Sequence, residues 1–207
     1  MRALVHVQHL LGTGHFVRAA ALARALARRG VETVLVTGNA PPSTHAAEGA
    51  ELVALPPVRS ADASFRTLLG PDGRPVDDAL WRARRDRLVA LAADRRPDIL
   101  VTETFPFGRT PFAAELLPLV EAVRRARPSA VVAASIRDIL VRKDDPAKER
   151  AMAERARALY DLVLVHADPA LVRLSDSFRF AEAIADRVRY TGFVHEASPA
   201  AAPPGDG

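Results

Sequence analysis

Four side chains in this sequence stand where chemistry on a polar ligand could be done: His15, Glu103, Arg137 and His166. Each follows an apolar run. Gly12-Thr13-Gly14-His15 separates the run at 3–7 from an Ala/Leu/Arg-rich stretch. With that stretch helical, His15 sits in its first turn, where the helix dipole disfavours an imidazolium. A neutral imidazole beside a cleft can take a proton from a hydroxyl; the competing reading is a ring that only caps local backbone. Gly12, Thr13 and Gly14 are either a ligand-binding turn at a helix start or a tight turn for close packing. Residues 98–102 lead into Glu103-Thr104-Phe105-Pro106-Phe107-Gly108-Arg109. Glu103 suits a base, a holder of sugar hydroxyls, or half of a salt bridge. Phe105 and Phe107 form either an apolar wall for a sugar or lipid, or core. Ser135-Ile136-Arg137-Asp138 closes another run. Arg137 fits a phosphate or carboxylate, or pairs with Asp138 in a structural network. His166 is placed to face the same cleft; Asp168, before Pro169, reads as a helix cap. His6 and His9 read as structural.

These residues need strands to carry them. Apolar runs at 3–7, 31–36, 51–55, 98–102, 130–135, 162–165 and 188–190 read as strands. Helical stretches at 19–29, 77–96, after Thr110-Pro111 and from Asp145-Pro146 to 160 alternate with them. Thr110 and Asp145 are predicted N-caps, with proline at the first helical position. Short helices are expected after Asp168 and at 178–185. The helix at 77–96 turns Trp81, Leu88, Leu91 and Ala92 to one side, with its arginines, Arg84 among them, on a solvated face. Residues 59–75 make a polar connection long enough to suggest a functional loop. Continuously apolar strands alternating with helices predict a parallel, doubly wound α/β sheet, with ligand groups at the carboxyl ends of the strands. One Rossmann-like domain spans residues 1–194, and residues 195–207 read as a disordered Ala/Pro/Gly tail or linker remnant.

Composition narrows the function classes. An apolar fraction of 49% fits a globular chain. No run is long enough for a membrane span, and the first apolar segment lacks a secretory pattern. The absence of cysteine removes disulfides and thiolate metal sites, which suits the cytoplasm. The formal charge of +4 comes almost wholly from arginine, since lysine occurs only at 143 and 148. Those arginines alternate with acids, as on solvated helix faces, so nucleic-acid binding is not expected. NAD is not expected either. Val17 stands at the third glycine of the dinucleotide pattern, and Thr37-Gly38-Asn39 offers no ribose-binding acid. No metal motif or bound cofactor is expected.

Gly12 to Arg18 and the helix after it resemble the start of MurG-like glycosyltransferases of the two-domain GT-B architecture. The stretches at 98–109, 135–140, 166–169 and 189–194 are similar to a bacterial branch of predicted glycosyltransferases in that group. The resemblance implies an N-terminal, acceptor-binding half. Its glycine turn would line the interdomain cleft, and His15, or Glu103, would be the base. A nucleotide-sugar would be a substrate, bound by a donor half, and this sequence contains no second glycine loop or second set of strands for it. The resemblance therefore implies a donor-binding partner subunit and a small-molecule or lipid-linked acceptor. A cytoplasmic location follows, with peripheral contact at the membrane face through Phe65, Leu68, Leu69, Trp81 and Arg82, Arg84, Arg85 and Arg87. A non-catalytic binding module, an inactive relic and a nucleotide-binding regulatory domain stand as the other readings.

Overall fold

The computed structural model describes residues 1–42, 47–62, 65 and 67–194; the expected tail at 195–207 lies outside them. In chain order the elements are β1 (Arg2–Val7), α1 (Gly14–Arg28), β2 (Glu32–Thr37), β3 (Glu51–Ala54), β4 (Arg59–Ser60), β5 (Leu68–Leu69), α2 (Asp78–Arg95), β6 (Ile99–Glu103), α3 (Ala113–Ala126), β7 (Val131–Arg137), α4 (Pro146–Leu159), β8 (Leu162–His166) and β9 (Val188–Tyr190). Seven strands form one parallel sheet in the order β3-β2-β1-β6-β7-β8-β9. The chain works outward from β1 to β3, then crosses to the other side of β1 and works outward again. This is the doubly wound topology that continuously apolar strands predict.

The two faces are packed differently. Val5, Val7, Leu35, Val101 and Ala133 bury against Phe16, Ala19, Ala20 and Ala23 of α1. Alanine at three of these helix positions lets α1 lie close on the strands. Leu4, Val36, Leu100 and Val132 belong to a larger core with side chains from α2, α3 and α4.

Several local expectations change. The first helix starts at Gly14, five residues before the Ala-rich stretch, with Thr13 ahead of it and His15 in its first turn, as expected. Thr110 is not a cap. It opens a 3-10 turn, Thr110–Phe112, that leads into α3, and left-handed Arg109 stands in front. Asp145 does cap its helix, accepting from Ala147 N at 2.9 Å. Asp168 accepts from Ala170 N at 2.8 Å in a turn, not at the head of a helix. Beyond it the described residues form 3-10 turns, at Leu174–Asp176 and Glu182–Arg187, where short helices were expected. The 59–75 connection holds a small antiparallel pair, β4 with β5, separate from the main sheet.

Arg84 is the largest correction. It is fully buried, on the stripe it shares with Leu88 and Ala92. All five of its N–H groups find acceptors. Nε and Nη2 grip Glu115 of α3, each at 2.7 Å; Nη2 also donates to Gln8 Oε1 at 2.8 Å. Nη1 donates to Gly38 O at 3.0 Å and Pro56 O at 2.5 Å. One guanidinium thus ties α2 and α3 to the chain just after β1, β2 and β3. Gly38 must be glycine here: a Cβ would lie 1.8 Å from Gln8 Oε1. With Arg84 withdrawn, the basic surface expected from Arg82 to Arg87 is reduced to its outer members.

Candidate functional site

The sheet order reverses between β1 and β6, and in open α/β sheets the ligand crevice lies outside the carboxyl ends of the strands at such a point. His15 follows β1 in the first turn of α1, and Glu103 is the last residue of β6. The topology therefore brings two residues far apart in sequence to one crevice. Gly12 and Gly14 lead into it. Neither has positive φ, and a Cβ on either meets nothing within 4 Å. Backbone geometry and packing within the chain do not demand glycine there, so the tight-packing reading of this turn loses its basis.

Glu103 is the hub. Its side chain is 1% exposed. His15 Nδ1 lies 3.0 Å from Oε1, Arg18 donates to the same oxygen through Nε at 3.1 Å and through Nη2, and Thr104 Oγ1 donates at 3.3 Å. Ser135 Oγ donates to Oε2 at 2.5 Å; the parallel register sets Ser135 directly opposite Glu103. Burial alone raises a carboxyl, but His15, Arg18 and Ser135 outweigh it and hold Glu103 down at about 2. The carboxylate is ionised and accepts only, so Nδ1 of His15 carries the hydrogen. Nε2 is then the lone-pair nitrogen, and among the described residues it has no hydrogen-bond partner. Arg18 Nη2 also lies 3.2 Å from Nδ1, and two donors cannot bond each other. That guanidinium is a like-charged neighbour whenever His15 is protonated.

The chain of polar groups continues inward. His166 lies opposite Arg137 in register and next to Ser135, with Nε2 2.9 Å from Ser135 Oγ. Its Nδ1 is 2.7 Å from Thr191 Oγ1. Burial lowers His166 to about 4, against the raising charge of Glu103 and with that of Arg18. The ring is neutral at pH 7. Because Ser135 spends its hydrogen on Glu103, His166 donates from Nε2 and accepts from Thr191 at Nδ1. Every hydroxyl and ring thus points its hydrogen toward Glu103.

A cavity of about 570 Å³ opens beside His15. Thr104, Phe107 and Arg137 border it too; Gly12, Thr13, Gly14, Asp138 and His166 do not. Thr104 holds φ +71, rare for a β-branched residue, and its methyl leaves no room for a Cβ at Gly108, which would stand 2.7 Å away. This curl places the Thr104 hydroxyl 3.1 Å from His15 Nδ1. Phe105 builds no wall: it is fully buried in the core, tilted against Tyr160. Asp138 accepts from Arg137 Nε at 3.1 Å, the structural pairing weighed above. His9 stacks edge-on to Phe16 and His6 is fully buried beside Glu115, both away from the cavity lining. Phe65 and Leu68, expected with Leu69 and Trp81 at a membrane face, border the cavity with Leu10, Ile139 and Leu140. Sequence reading missed Arg18, Ser135 and Thr191 as members of the network, and Arg109 and Lys143 as cavity lining. Only Arg18 had a signal: it is three residues from His15, on the same helix face.

Among the described residues no cluster of three His, Cys, Asp or Glu could hold a metal ion. No described helix is long and apolar enough to cross a membrane.

Comparison with solved structures shows the fold. UGT2 of Phytolacca americana, complexed with UDP-2-fluoro-glucose and pterostilbene, superposes with TM-score 0.55 at 14% identity, over 95% of this chain and 55% of its own. A glycosyltransferase from Rickettsia africae superposes with TM-score 0.50 at 8% identity, over 91% of this chain and 42% of its own. The chain spans about half the length of these proteins, and the part it matches is one half of a GT-B architecture. No curated protein matches it in sequence. A sequence model of the glycosyl transferase 4-like domain matches residues 13–198, from the turn before His15 past the last strand, and the chain therefore belongs to the glycosyl transferase 4-like domain family.

Proposed function

We propose that this chain is the acceptor-binding half of an inverting glycosyltransferase and that His15 is its general base. The observation that carries the reading is the two-sided environment of His15. Nδ1–H is fixed on an ionised, buried carboxylate, while Nε2 is unpartnered on a ring that borders the cavity. An acceptor hydroxyl in the cavity would give its proton to Nε2. Its oxygen would attack the anomeric carbon of a nucleotide-sugar from the face opposite the leaving group, and the bond to the nucleoside diphosphate would break. Glu103 would balance the imidazolium that forms. General-base help of this kind contributes roughly 10²–10⁴-fold. The donor would be held mainly by a second half, as the share of each relative that this chain spans supports. The resemblance of residues 12–18 to MurG-like enzymes supports a nucleotide-sugar donor and a cytoplasmic site of action.

One observation favours a second reading. Arg18 already pairs with Glu103 and opposes a charge on His15, which suits a non-catalytic binding module using the same cavity. Transfer assays separate the two. The purified chain is assayed with nucleotide-sugars and hydroxyl acceptors, alone and with a donor-binding half. The expected result is no multiple turnover alone, transfer with the second half, and a loss of about 10²-fold or more in His15→Ala that far exceeds its loss of stability. Near-wild-type turnover in His15→Ala, with Glu103→Gln inactive, would move the base to Glu103. Acceptor binding without transfer by any donor half would favour the binding module.

A further inference from the structure

The walls of the cavity are more specific than a generic acceptor site requires. One side is apolar: Leu10, Phe65, Leu68, Phe107, Ile139 and Leu140. Three cations, Arg109, Arg137 and Lys143, border the same space, with Arg18 behind His15. Two of the four are matched, Arg18 by Glu103 and Arg137 by Asp138. Arg109 and Lys143 have no carboxylate within ion-pair distance among the described residues.

Arg109 is held through its stem and Lys143 through its main chain. Arg109 donates through Nε to Gln8 O at 3.1 Å and lies over the Phe65 ring at 5.5 Å; its terminal nitrogens have no partner among the described residues. Its backbone is fixed in the left-handed region, φ +59, at the head of the turn into α3. Lys143 is half-buried, and its main chain is gripped on both sides: Lys143 N donates to Glu149 Oε1 at 2.8 Å, and Arg179 Nη1 donates to Lys143 O at 2.9 Å. Burial works against the charged form of Arg109, with only the distant help of Glu103, which other partners already occupy. Partly desolvated cations without counter-charges are costly unless a ligand supplies the anion.

We propose that the cavity takes an amphiphilic acid: an acceptor with an apolar body and one carboxylate or phosphate group, held by Arg109 and Lys143. This deepens the acceptor reading above and rests on it. The apolar body lies against Phe65, Leu68 and Ile139, and the acid group reaches the two cations. A reactive hydroxyl then faces His15. A neutral apolar acceptor would leave both cations unmatched against its surface, so charge selects among acceptors of similar shape.

The test is direct binding to the purified chain. The single tryptophan, Trp81, packs edge-on to Phe112 at 5.2 Å, and Phe112 borders the cavity, so Trp81 fluorescence reads occupancy. Octyl phosphate, octanoate, octanol, inorganic phosphate and uridine diphosphate are titrated at low and physiological salt. Octyl phosphate and octanoate are expected to bind about tenfold or more tighter than octanol, the gain of a charge-assisted contact in a partly dry site. Inorganic phosphate, lacking the apolar body, should bind weakly. Arg109→Gln combined with Lys143→Gln should erase the preference for acids, weakening octyl phosphate and octanoate far more than octanol. Lys143→Gln alone, whose side chain has no partner within the described fold, should weaken acid binding several-fold and decides the matter if the double variant does not fold.

Equal binding of octanol and the acids, no binding of any probe, or a preference that survives both substitutions would overturn the proposal. Uridine diphosphate binding as tightly as octyl phosphate, through the same two cations, would also overturn it by assigning them to the donor. His15→Ala should leave the acid preference intact. A chain that binds acids selectively but never transfers sugar would refute only the proposed reaction. A chain that transfers sugar but ignores charge would refute only this inference.

Discussion

Replacing Glu103 with Gln removes the charge on which the site converges, and its cost follows from the structure. An ordinary glutamate carboxyl titrates near 4.5; here it is held at about 2. That difference corresponds to about 3 kcal/mol of folding free energy at neutral pH. The sign is that of a depressed carboxyl. As pH falls, the unfolded chain takes up the proton first, so the stabilisation is complete above about 4.5 and is lost progressively as pH falls toward 2. Gln cannot ionise, and it leaves the Arg18 guanidinium facing a neutral amide. Glu103→Gln should therefore be less stable than the wild type by about 3 kcal/mol at pH 7, and the gap should close as pH approaches 2. Two buried histidines act in a higher window. His166, at about 4, and His6, at about 3, are both pushed down chiefly by burial, so each costs stability as pH falls below 6.5. Both are present in wild type and variant, but the charge of Glu103 also holds His166 up, so the difference between the two curves below pH 4.5 reports Glu103 together with its effect on His166. Urea unfolding followed by circular dichroism at pH 7, 5, 4 and 3 measures that difference. A gap that stays constant over this range, or a variant as stable as the wild type at pH 7, would refute the electrostatic account of the site.

Arg84→Met leaves Glu115 buried without its partner and should cost about 3–5 kcal/mol, whereas Arg84→Met with Glu115→Leu should recover only part of it, because Gln8 Oε1, Gly38 O and Pro56 O still lose their donor; a loss below about 1 kcal/mol for Arg84→Met by urea unfolding would show that the pair carries no weight. Gly14→Ala places its Cβ in open space, so thermal stability should change by less than about 1 kcal/mol. Transfer in the reconstituted enzyme should nevertheless fall; undiminished transfer would take the glycine turn out of the site.

The sequence by itself determined the sheet. Its strands are continuously apolar, such strands need cover on both faces, and helices of the right length separate them. Short-range patterns also placed His15 at a helix start and Asp145 at a cap, because both depend on neighbours a few residues away. Glu103 was legible as an acid at a strand end, since the end of an apolar run can be seen in one dimension. Its partners were not. Ser135 meets Glu103 only through strand register, His166 meets Ser135 one strand further on, and Thr191 meets His166 across the sheet edge. Arg84 was misread for a related reason. A guanidinium on a charged helix reads as solvated until a carboxylate from another helix and carbonyls from two loops are brought to it. Phe105 and Phe107 differ by two residues and both are buried in the core, yet only Phe107 also borders the cavity, a difference made after the chain turns beyond β6. Hydrophobic periodicity is local and survives in the sequence. Hydrogen-bond partnership, and the partly dry pocket that gives each charge its value, exist only once distant segments have packed.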